Sequence, residues 1–314
     1  GTYIMIVALL VFICILAGLI WFTAKMDGNI ESAFTPAGKL TPVSGGIIHW
    51  QKQGSGPSLL LIHGLLGNSN NFNELAKTLA DRYTVYSIDR PGSGFSSRYK
   101  GTSASFAQQS KMILEWMDKE GIECVSVAGH SMGGGVALRM AIDAPSKITS
   151  VSLLCPLTTP LKGGAGPLSV LYIPNEFVRS SVAKTIASPL RARLGRKQVA
   201  QIFHPESVPA SFSVEGGGLL ALHSRSFYEG SRDTVSAQGS LYKQQTRYRE
   251  IQCPVGVLYG EKDTILKPSE HINAVTDAID AAEYQILPNA GHMIPVTQVQ
   301  ACADFICAID AKAR

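Results

Sequence analysis

Short apolar runs rich in β-branched residues alternate along most of this chain with longer segments of helical spacing, and this alternation restricts the possible folds more than any other feature. The runs that predict buried strands lie at 59–63, 84–88, 125–128, 148–154, 255–259 and 283–287. Apolar residues recurring three and four positions apart predict helices at 72–80, 106–119, 133–143, 269–278 and 296–309. Such alternation is typical of βα units, so the sequence predicts an α/β fold, a mostly parallel sheet with helices on both faces.

The composition excludes several classes of protein. Of 314 residues, 45% are hydrophobic and 17% are charged, which is ample for a buried core and excludes disorder. The 28 Lys and Arg against 24 Asp and Glu leave a net charge of +4, too small and too scattered for a nucleic-acid binder. Six cysteines without a C-x-x-C pair predict neither a disulfide scaffold nor a structural metal site.

The first 24 residues carry no charged side chain, and most of them are aliphatic or aromatic. A helix over this stretch separates Tyr3 from Trp21 by about 27 Å, close to the hydrocarbon thickness of a bilayer. We therefore predict one transmembrane anchor over 1–24, with a cleaved signal peptide as the alternative. Residues 25–44, which contain several prolines and glycines, predict an extended linker, and the folded domain follows over 45–314.

An uncleaved anchor of this kind predicts a single-pass protein of the bacterial inner membrane with its folded domain in the periplasm. The chain has no Asn-x-Ser/Thr sequence, which agrees with a bacterial protein or with a domain that faces the cytosol.

The segment 129–133 has the pattern G-x-S-x-G and lies between a predicted strand and a predicted helix, the context that this pattern requires. Its two glycines allow a tight turn close to neighbouring backbone, and the turn presents the hydroxyl of Ser131 at the carboxyl end of the strand. A serine hydroxyl is a poor nucleophile at neutral pH. It needs a base within hydrogen-bond reach and a third group that orients the base.

Two later loops supply candidates for these groups. Asp263 and His292 each follow a predicted strand, so both lie at the carboxyl edge of the sheet together with Ser131. Their chain order is Ser, Asp, His. Glu261, two residues before Asp263, is the alternative carboxylate, whereas His271 falls within a predicted helix.

Two backbone amides are candidates for stabilising a developing oxyanion. The Leu65 N–H lies just after the strand at 59–63, and the Met132 N–H directly follows the serine at the start of a helix. We expect His63 and His130 to tie down their own loops rather than to react or to bind a metal. This chemistry requires no cofactor and no metal ion, and we expect neither.

Five blocks of sequence in this order resemble the α/β-hydrolase superfamily over residues 45 to 314. They lie at 63–68, 89–96, 129–133, 260–263 and 291–292. The resemblance implies that Ser131 is the nucleophile, His292 the base and Asp263 its orienting acid, with the Leu65 and Met132 amides as the oxyanion hole. The serine at this turn resembles the one that esterases and lipases of the superfamily carry there. The N-terminal anchor is loosely similar to that of membrane-bound monoacylglycerol lipases.

The strand pattern stops between about residues 156 and 249, too long a stretch for an unstructured loop in a compact domain, so we predict an inserted lid there. From 156 to 205 the lid has seven basic residues against the single acid Glu176, interleaved with apolar side chains. Such a composition suits contact with anionic headgroups and the passage of lipid-like substrates. The alternative is a basic face that points to solvent over an ordinary apolar core.

The sequence therefore predicts a membrane-anchored serine hydrolase that cleaves small-molecule or lipid-like carboxylic esters, including esters of the monoacylglycerol type, through an acyl-enzyme on Ser131. Two alternatives stay open. The same triad could serve a carbon–carbon bond hydrolase or a perhydrolase, and the chain could be a membrane-attached binding module that kept the fold without the chemistry.

Overall fold

The computed structural model describes residues 1–162 and 166–314, and the predicted α/β fold is confirmed. Within these residues nine strands form one sheet: β1 (Lys39–Val43), β2 (Gly46–Gln53), β3 (Ser58–Ile62), β4 (Thr84–Ile88), β5 (Ser97–Arg98), β6 (Val125–His130), β7 (Ile148–Leu154), β8 (Val255–Gly260) and β9 (Glu283–Leu287). The same residues form the helices α1 (Thr2–Ala33), α2 (Asn73–Leu79), α3 (Phe106–Lys119), α4 (Met132–Asp143), α5 (Glu176–Lys184), α6 (Ala187–Phe203), α7 (Ser224–Gln244), α8 (Pro268–Thr276), α9 (Ile294–Thr297) and α10 (Val299–Ala311).

The sheet is parallel over most of its width. Its strand order is β1-β2-β4-β3-β6-β7-β8-β9, with β5 paired to β2 beside this path. Every pair from β4 to β9 is parallel, whereas β2 pairs antiparallel with β1, β4 and β5. Because neighbouring parallel strands end at the same edge, the loops after β3, β6, β8 and β9 meet on one side of the sheet.

The predicted elements agree with the structure where the pattern is local. The strands predicted at 84–88, 148–154 and 283–287 coincide with β4, β7 and β9. The predicted helix at 106–119 coincides with α3, and the Ser105 side chain caps it by accepting a hydrogen bond from the Gln108 N–H. The helix predicted over 296–309 is instead divided into α9 and α10 at Gln298, whose backbone is not helical and whose side chain donates to Glu206.

The N-terminal boundaries differ from the prediction. Helix α1 does not stop at residue 24 but continues to Ala33, and the extended linker predicted over 25–44 is wrong. The helix continues because its last turns dock on the lid, as described below. The chain becomes extended at Phe34, and β1 then pairs with β2, so the sheet domain begins at Lys39 rather than at residue 45.

Helix α1 is long and apolar enough to cross a membrane, a property that signal sequences share. Only Thr23 and Ile30 are buried along its length. The other apolar side chains, among them Leu10 and Phe12, are exposed in the isolated chain.

Helices α5, α6 and α7 lie between β7 and β8, in the stretch where the sequence predicts a lid; residues 163–165 of that stretch lie outside the described residues. The lid has its own small apolar cluster, formed by Leu171, Ala183, Ala187 and Phe227. Its basic residues do not all face outward. The Arg179 side chain is buried and donates to the Ile173 carbonyl and to Glu176, so it is not part of a basic surface.

The C-terminal turns of α1 pack against this lid. Thr23 donates to the Thr185 carbonyl at 3.3 Å, next to the start of α6. The Asp27 carboxylate accepts from the backbone N–H of Ser224 at 2.8 Å and also from the Ser224 hydroxyl, so a side chain of α1 caps the first turn of α7. Glu31 accepts from the His223 ring at 2.8 Å. The N-terminal helix and the lid are therefore held together by polar contacts.

We predict that Asp27→Ala destabilises the protein more than Glu31→Ala does. Loss of a capping carboxylate typically costs about 1 kcal/mol, whereas an exposed ion pair contributes between about 0 and 1 kcal/mol. Glu31 is the matched control, because its side chain is 68% exposed while that of Asp27 is 17% exposed. Urea unfolding of the full chain in detergent, followed by tryptophan fluorescence, measures both values. Equal stabilities for Asp27→Ala and the unmodified chain would contradict the capping role.

Candidate active site

Ser131 lies in a strained turn between β6 and α4. Its φ of 53° and ψ of −121° lie in a region that costs a non-glycine residue about 1–3 kcal/mol. The turn is possible because backbone segments approach each other where no side chain intervenes. A Cβ on Gly129 would lie 2.4 Å from the Gly133 carbonyl oxygen, and one on Gly133 would lie 2.2 Å from the Ile62 carbonyl oxygen. The two glycines of the motif are thus required by packing.

The structure brings the three predicted side chains into one hydrogen-bonded row. His292 Nε2 lies 3.1 Å from Ser131 Oγ, and His292 Nδ1 lies 2.6 Å from Asp263 Oδ2. With the proton on Nδ1, the imidazole donates to Asp263 and leaves Nε2 as an acceptor for the Ser131 hydroxyl. The Asp263 side chain is fully buried, the His292 side chain is nearly so, and Ser131 remains partly exposed.

Asp263 is held as a carboxylate by its surroundings. Burial alone would raise its pKa, but the charge of His292 and the hydrogen bond to it, with the amides of Leu266 and Ile265, lower the pKa below its ordinary value. Those two amides donate to Oδ1 at 3.0 and 2.8 Å, so Oδ2 is free to face the imidazole. The alternative carboxylate, Glu261, instead accepts from the Asn289 N–H at 3.0 Å.

The two predicted oxyanion amides lie beside Ser131. Leu65, Ser131 and Met132 line one cavity, and a Cβ on Gly64 would lie 2.9 Å from Ser131 Cβ. The loop after β3 therefore passes directly over the serine. Within residues 1–162 and 166–314, neither the Leu65 N–H nor the Met132 N–H has a hydrogen-bond acceptor. Both amides are available to a ligand oxygen.

Two apolar cavities adjoin at this site. The one that contains Ser131 has a volume of about 1160 Å³, its open mouth included, and is lined mainly by apolar side chains of the sheet edge and the lid, among them Leu157, Leu161, Leu168, Ala237, Ile265 and Leu266. The second, of about 930 Å³, shares Leu65 and Leu168 with the first and extends beneath α6. The space around the serine is therefore suited to apolar chains.

Two further histidines stabilise the loops of the site. His130 Nε2 lies 2.9 Å from the carbonyl oxygen of His292 and donates to it, which fixes the loop after β9. Burial, aided by the charge of His292, lowers the pKa of His130 to about 3. His63 is also buried; burial first, and then the charge of Arg90, lowers its pKa to about 4. Both rings are therefore neutral near pH 7.

Cys155, at the end of β7, is a member of the site that the sequence did not reveal. Its Sγ accepts from the Gly260 N–H at 3.4 Å and lies 3.7 Å from the Gly291 carbonyl oxygen, so it bridges the loops that carry Asp263 and His292. The ligand atoms of Cys155, Asp263 and His292 lie within 4.8 Å of one another. This set does not suit a metal ion, since burial raises the pKa of the thiol well above its ordinary value and the other two side chains bond each other.

Comparison with known proteins supplies the relatives of this chain. The family model for the alpha/beta hydrolase fold matches residues 57–298. The dihydrolipoyllysine-residue acetyltransferase component of an acetoin cleaving system, from Cupriavidus necator, is 42% identical over 304 residues, covering 90% of this chain and 73% of that protein. Lipase 1 of Psychrobacter immobilis is 26% identical over 291 residues, covering 89% and 83%. Among solved structures, a membrane phospholipase A described as a bacterial virulence factor has a TM-score of 0.68 at 21% identity, covering 97% and 98%.

The buried histidines predict a loss of stability in mild acid. His63 and His271 have pKa values lowered to about 4 and His130 to about 3, chiefly by burial, against about 6.5 in the unfolded chain. Below pH 6.5 the unfolded chain binds protons that the folded chain does not, so the free energy of unfolding falls as the pH falls. The expected slope approaches about 1.4 kcal/mol per pH unit for each histidine.

Urea unfolding measured at several values between pH 6.5 and 5 checks this slope. His271→Asn is the control variant, because an amide oxygen can still accept the Thr158 N–H that His271 Nδ1 accepts at 3.0 Å. We expect the slope of the free energy of unfolding against pH to be smaller in this variant by the contribution of one histidine. A free energy of unfolding that does not change between pH 6.5 and 5 would contradict the lowered pKa values of the buried histidines.

Proposed function

This chain belongs to the α/β-hydrolase fold family, and we propose that it is a serine hydrolase that cleaves carboxylic esters through an acyl-enzyme on Ser131. The observation that carries the proposal is the row of hydrogen bonds from Ser131 Oγ through His292 to Asp263, at 3.1 and 2.6 Å. A serine, an imidazole and a buried carboxylate in this geometry are the parts that nucleophilic acyl transfer requires.

In the first step, Ser131 Oγ forms a bond to the carbonyl carbon of the ester while its proton moves to His292 Nε2. The carbonyl electron pair moves to oxygen and gives a tetrahedral oxyanion. The Leu65 and Met132 amides donate to this oxygen, and the N-terminus of α4 adds its positive end. Asp263 keeps the imidazole in the correct tautomer and stabilises its positive charge.

In the second step, the carbon–oxygen bond to the leaving group breaks, and the alcohol departs with the proton from His292 Nε2. Water then transfers a proton to the same nitrogen as its oxygen attacks the acyl carbon. Collapse of the second oxyanion releases a carboxylic acid and returns the proton to Ser131. His292 thus serves as base, acid, base and again acid in turn.

The substrate that we propose is an ester with an apolar acyl chain. The cavity at Ser131 and the adjoining cavity are lined mainly by apolar residues, and together they exceed the space that a short-chain ester needs. The relative named as a lipase and the solved membrane phospholipase A support lipid esters, of the monoacylglycerol type among others, as the class to test.

We further propose that α1 anchors the protein in the bacterial inner membrane, with the catalytic domain in the periplasm. The apolar stretch ends just before Thr23, which bonds Thr185 of the lid, so the adjacent lid surface would lie at the level of the bilayer surface. Several apolar side chains on and between α5 and α6 are exposed, and they include Phe177, Val178, Ile186, Leu190 and Leu194. Contact of these side chains with lipid would bring the mouth of the site close to membrane-borne esters.

A second candidate function is acyl transfer to a thiol. The Cupriavidus relative is named as an acetyltransferase component that acts on dihydrolipoyllysine residues, and it is 42% identical to this chain. Ester hydrolysis and acyl transfer to a thiol would both proceed through an acyl-enzyme on Ser131. The two reactions differ only in the acceptor of the acyl group, which is water in the first and a thiolate in the second. Addition of dihydrolipoamide to the ester assay separates them, because thioester formation at the expense of free acid indicates transfer.

We predict that Ser131→Ala and Asp263→Asn each lower kcat for p-nitrophenyl esters by about 10⁴-fold. Ser131→Ala removes the nucleophile, and Asp263→Asn favours the wrong tautomer of His292. Glu261→Gln is the matched control and retains activity within about twofold. A series of p-nitrophenyl esters with acyl chains of different length and labelling by a fluorophosphonate probe complete the assay.

Full labelling of Ser131→Ala would overturn the assignment of Ser131 as the nucleophile. Equal losses of kcat in Glu261→Gln and Asp263→Asn would contradict the assignment of Asp263 as the orienting acid. A normal label without hydrolysis of any ester favours a carbon–carbon bond hydrolase or a perhydrolase, whereas the absence of both label and hydrolysis favours a binding module.

We predict that the full chain stays in the membrane pellet after extraction with sodium carbonate and is digested by protease added to intact spheroplasts. A single apolar helix resists extraction at high pH, whereas a peripheral protein does not. Release into the supernatant would contradict the anchor. Protection from protease until the spheroplasts are lysed would contradict the periplasmic side alone.

A further inference from the structure

Arg90, two residues after the end of β4, is a buried cation that the reaction described above does not use. Its side chain is fully buried, which is rare for an arginine and requires every part of the guanidinium to have a partner. Nε donates to the His63 carbonyl at 2.9 Å, and Nη2 donates to the Gly64 carbonyl at 3.2 Å. Nη1 donates to Gln109 at 2.8 Å and to Asp233 at 3.1 Å. One rigid, planar group thus bonds two consecutive carbonyls of the loop after β3.

The Gly64 carbonyl is held from several sides. Besides Arg90, it accepts from His63 Nδ1 at 2.7 Å and from the Gly67 N–H at 3.1 Å. His63 can donate from Nδ1 because its Nε2 accepts the backbone N–H of Arg90 at 2.9 Å, which sets the tautomer. The direction of the Gly64 carbonyl is therefore determined by three donors.

That direction decides where the next amide points. In a trans peptide the C=O and the N–H lie on opposite sides, so a Gly64 carbonyl turned toward Arg90 turns the Leu65 N–H away from Arg90. Leu65 lines the cavity that contains Ser131, and Gly64 contacts the Ser131 side chain closely. The groups behind the loop therefore set the direction of the Leu65 N–H.

The lid contributes to this arrangement through Asp233 of α7. Asp233 is buried, and its second oxygen accepts from Arg98 at 2.8 Å. Arg98 in turn pairs with Glu229, one turn earlier on α7. Arg98 carries the same charge as Arg90 and shares Asp233 with it, but it contacts neither the His63 nor the Gly64 carbonyl.

We propose that Arg90 is a positioning residue for the oxyanion hole. Held by Asp233 of the lid, its guanidinium fixes the Gly64 carbonyl and so aims the Leu65 N–H at the oxygen that becomes negative in the transition state. This inference rests on the proposed function, and it adds that the lid helix α7 stabilises the hole as well as covering the cavity. Substrate binding in the ground state depends less on this contact than the transition state does, because the neutral ester oxygen is a weaker acceptor than the oxyanion.

The test compares Arg90→Lys with Arg98→Lys in the full-length protein. Both substitutions keep the positive charge beside Asp233, but lysine lacks the planar fork that reaches two carbonyls at once. We expect Arg90→Lys to lower kcat by about 10- to 100-fold, less than the loss of an entire oxyanion donor, with KM within about twofold. The affinity for an alkyl boronic acid, which forms a tetrahedral adduct on the serine, should fall by the same factor as kcat. Arg98→Lys should leave kcat and this affinity within about twofold.

Thermal unfolding separates positioning from a general structural effect. We expect both lysine variants to be destabilised to a similar degree, and we expect kcat to fall only in Arg90→Lys. The inference is wrong if Arg90→Lys keeps the kcat of the unmodified chain, if only its KM changes, or if Arg98→Lys loses as much kcat. If Arg90→Lys does not fold, Arg90→Gln and Asp233→Asn replace it in the comparison with Arg98→Lys. Absence of ester hydrolysis by the unmodified chain, or hydrolysis that survives in Ser131→Ala, would instead contradict the proposed function.

Discussion

The close approach of backbone around Ser131 is the constraint on which the rest of the site depends. The serine has a positive φ of 53°, and that conformation persists because Gly129, Gly133 and Gly64 let three backbone segments come within contact distance. Any side chain at these glycines would overlap a carbonyl or the serine itself. The same approach brings Leu65 and Met132 to the cavity that contains Ser131, so one packing requirement positions both the nucleophile and the candidate oxyanion hole.

The remaining groups are held by polar contacts that leave little freedom. Asp263 is fixed by two amides and His292, the His292 carbonyl is fixed by His130, and Cys155 joins the two loops. Behind the loop after β3, the buried Arg90 links these elements to the lid. Burial makes each of these contacts costly to break, because an unpaired polar group would have no access to water. The site is therefore preorganised before a substrate arrives.

Local patterns allowed six of the nine described strands, most helices and the row of Ser131, Asp263 and His292 to be predicted, because strand ends and glycine spacing are encoded within a few residues, whereas β1, β2 and β5 were not predicted. Contacts between distant residues that do not follow from the shared edge of the parallel strands could not be predicted in this way. Asp27 and Ser224 are separated by 197 positions, and Arg90 and Asp233 by 143. The prolines and glycines of residues 25–44 suggested a linker, but docking on the lid keeps that stretch helical to Ala33. A charged residue two positions after a buried strand, as at Arg90, is a local signal of this network.

The proposed mechanism requires that Ser131 carries the acyl group during turnover. Rapid mixing with a slowly deacylated p-nitrophenyl ester, acid quenching and peptide mapping by mass spectrometry test it most directly. We expect a burst of about one equivalent of p-nitrophenol and one acyl group on the peptide that contains Ser131. Turnover without any acylated peptide, or an acyl group on a different residue, would contradict the account.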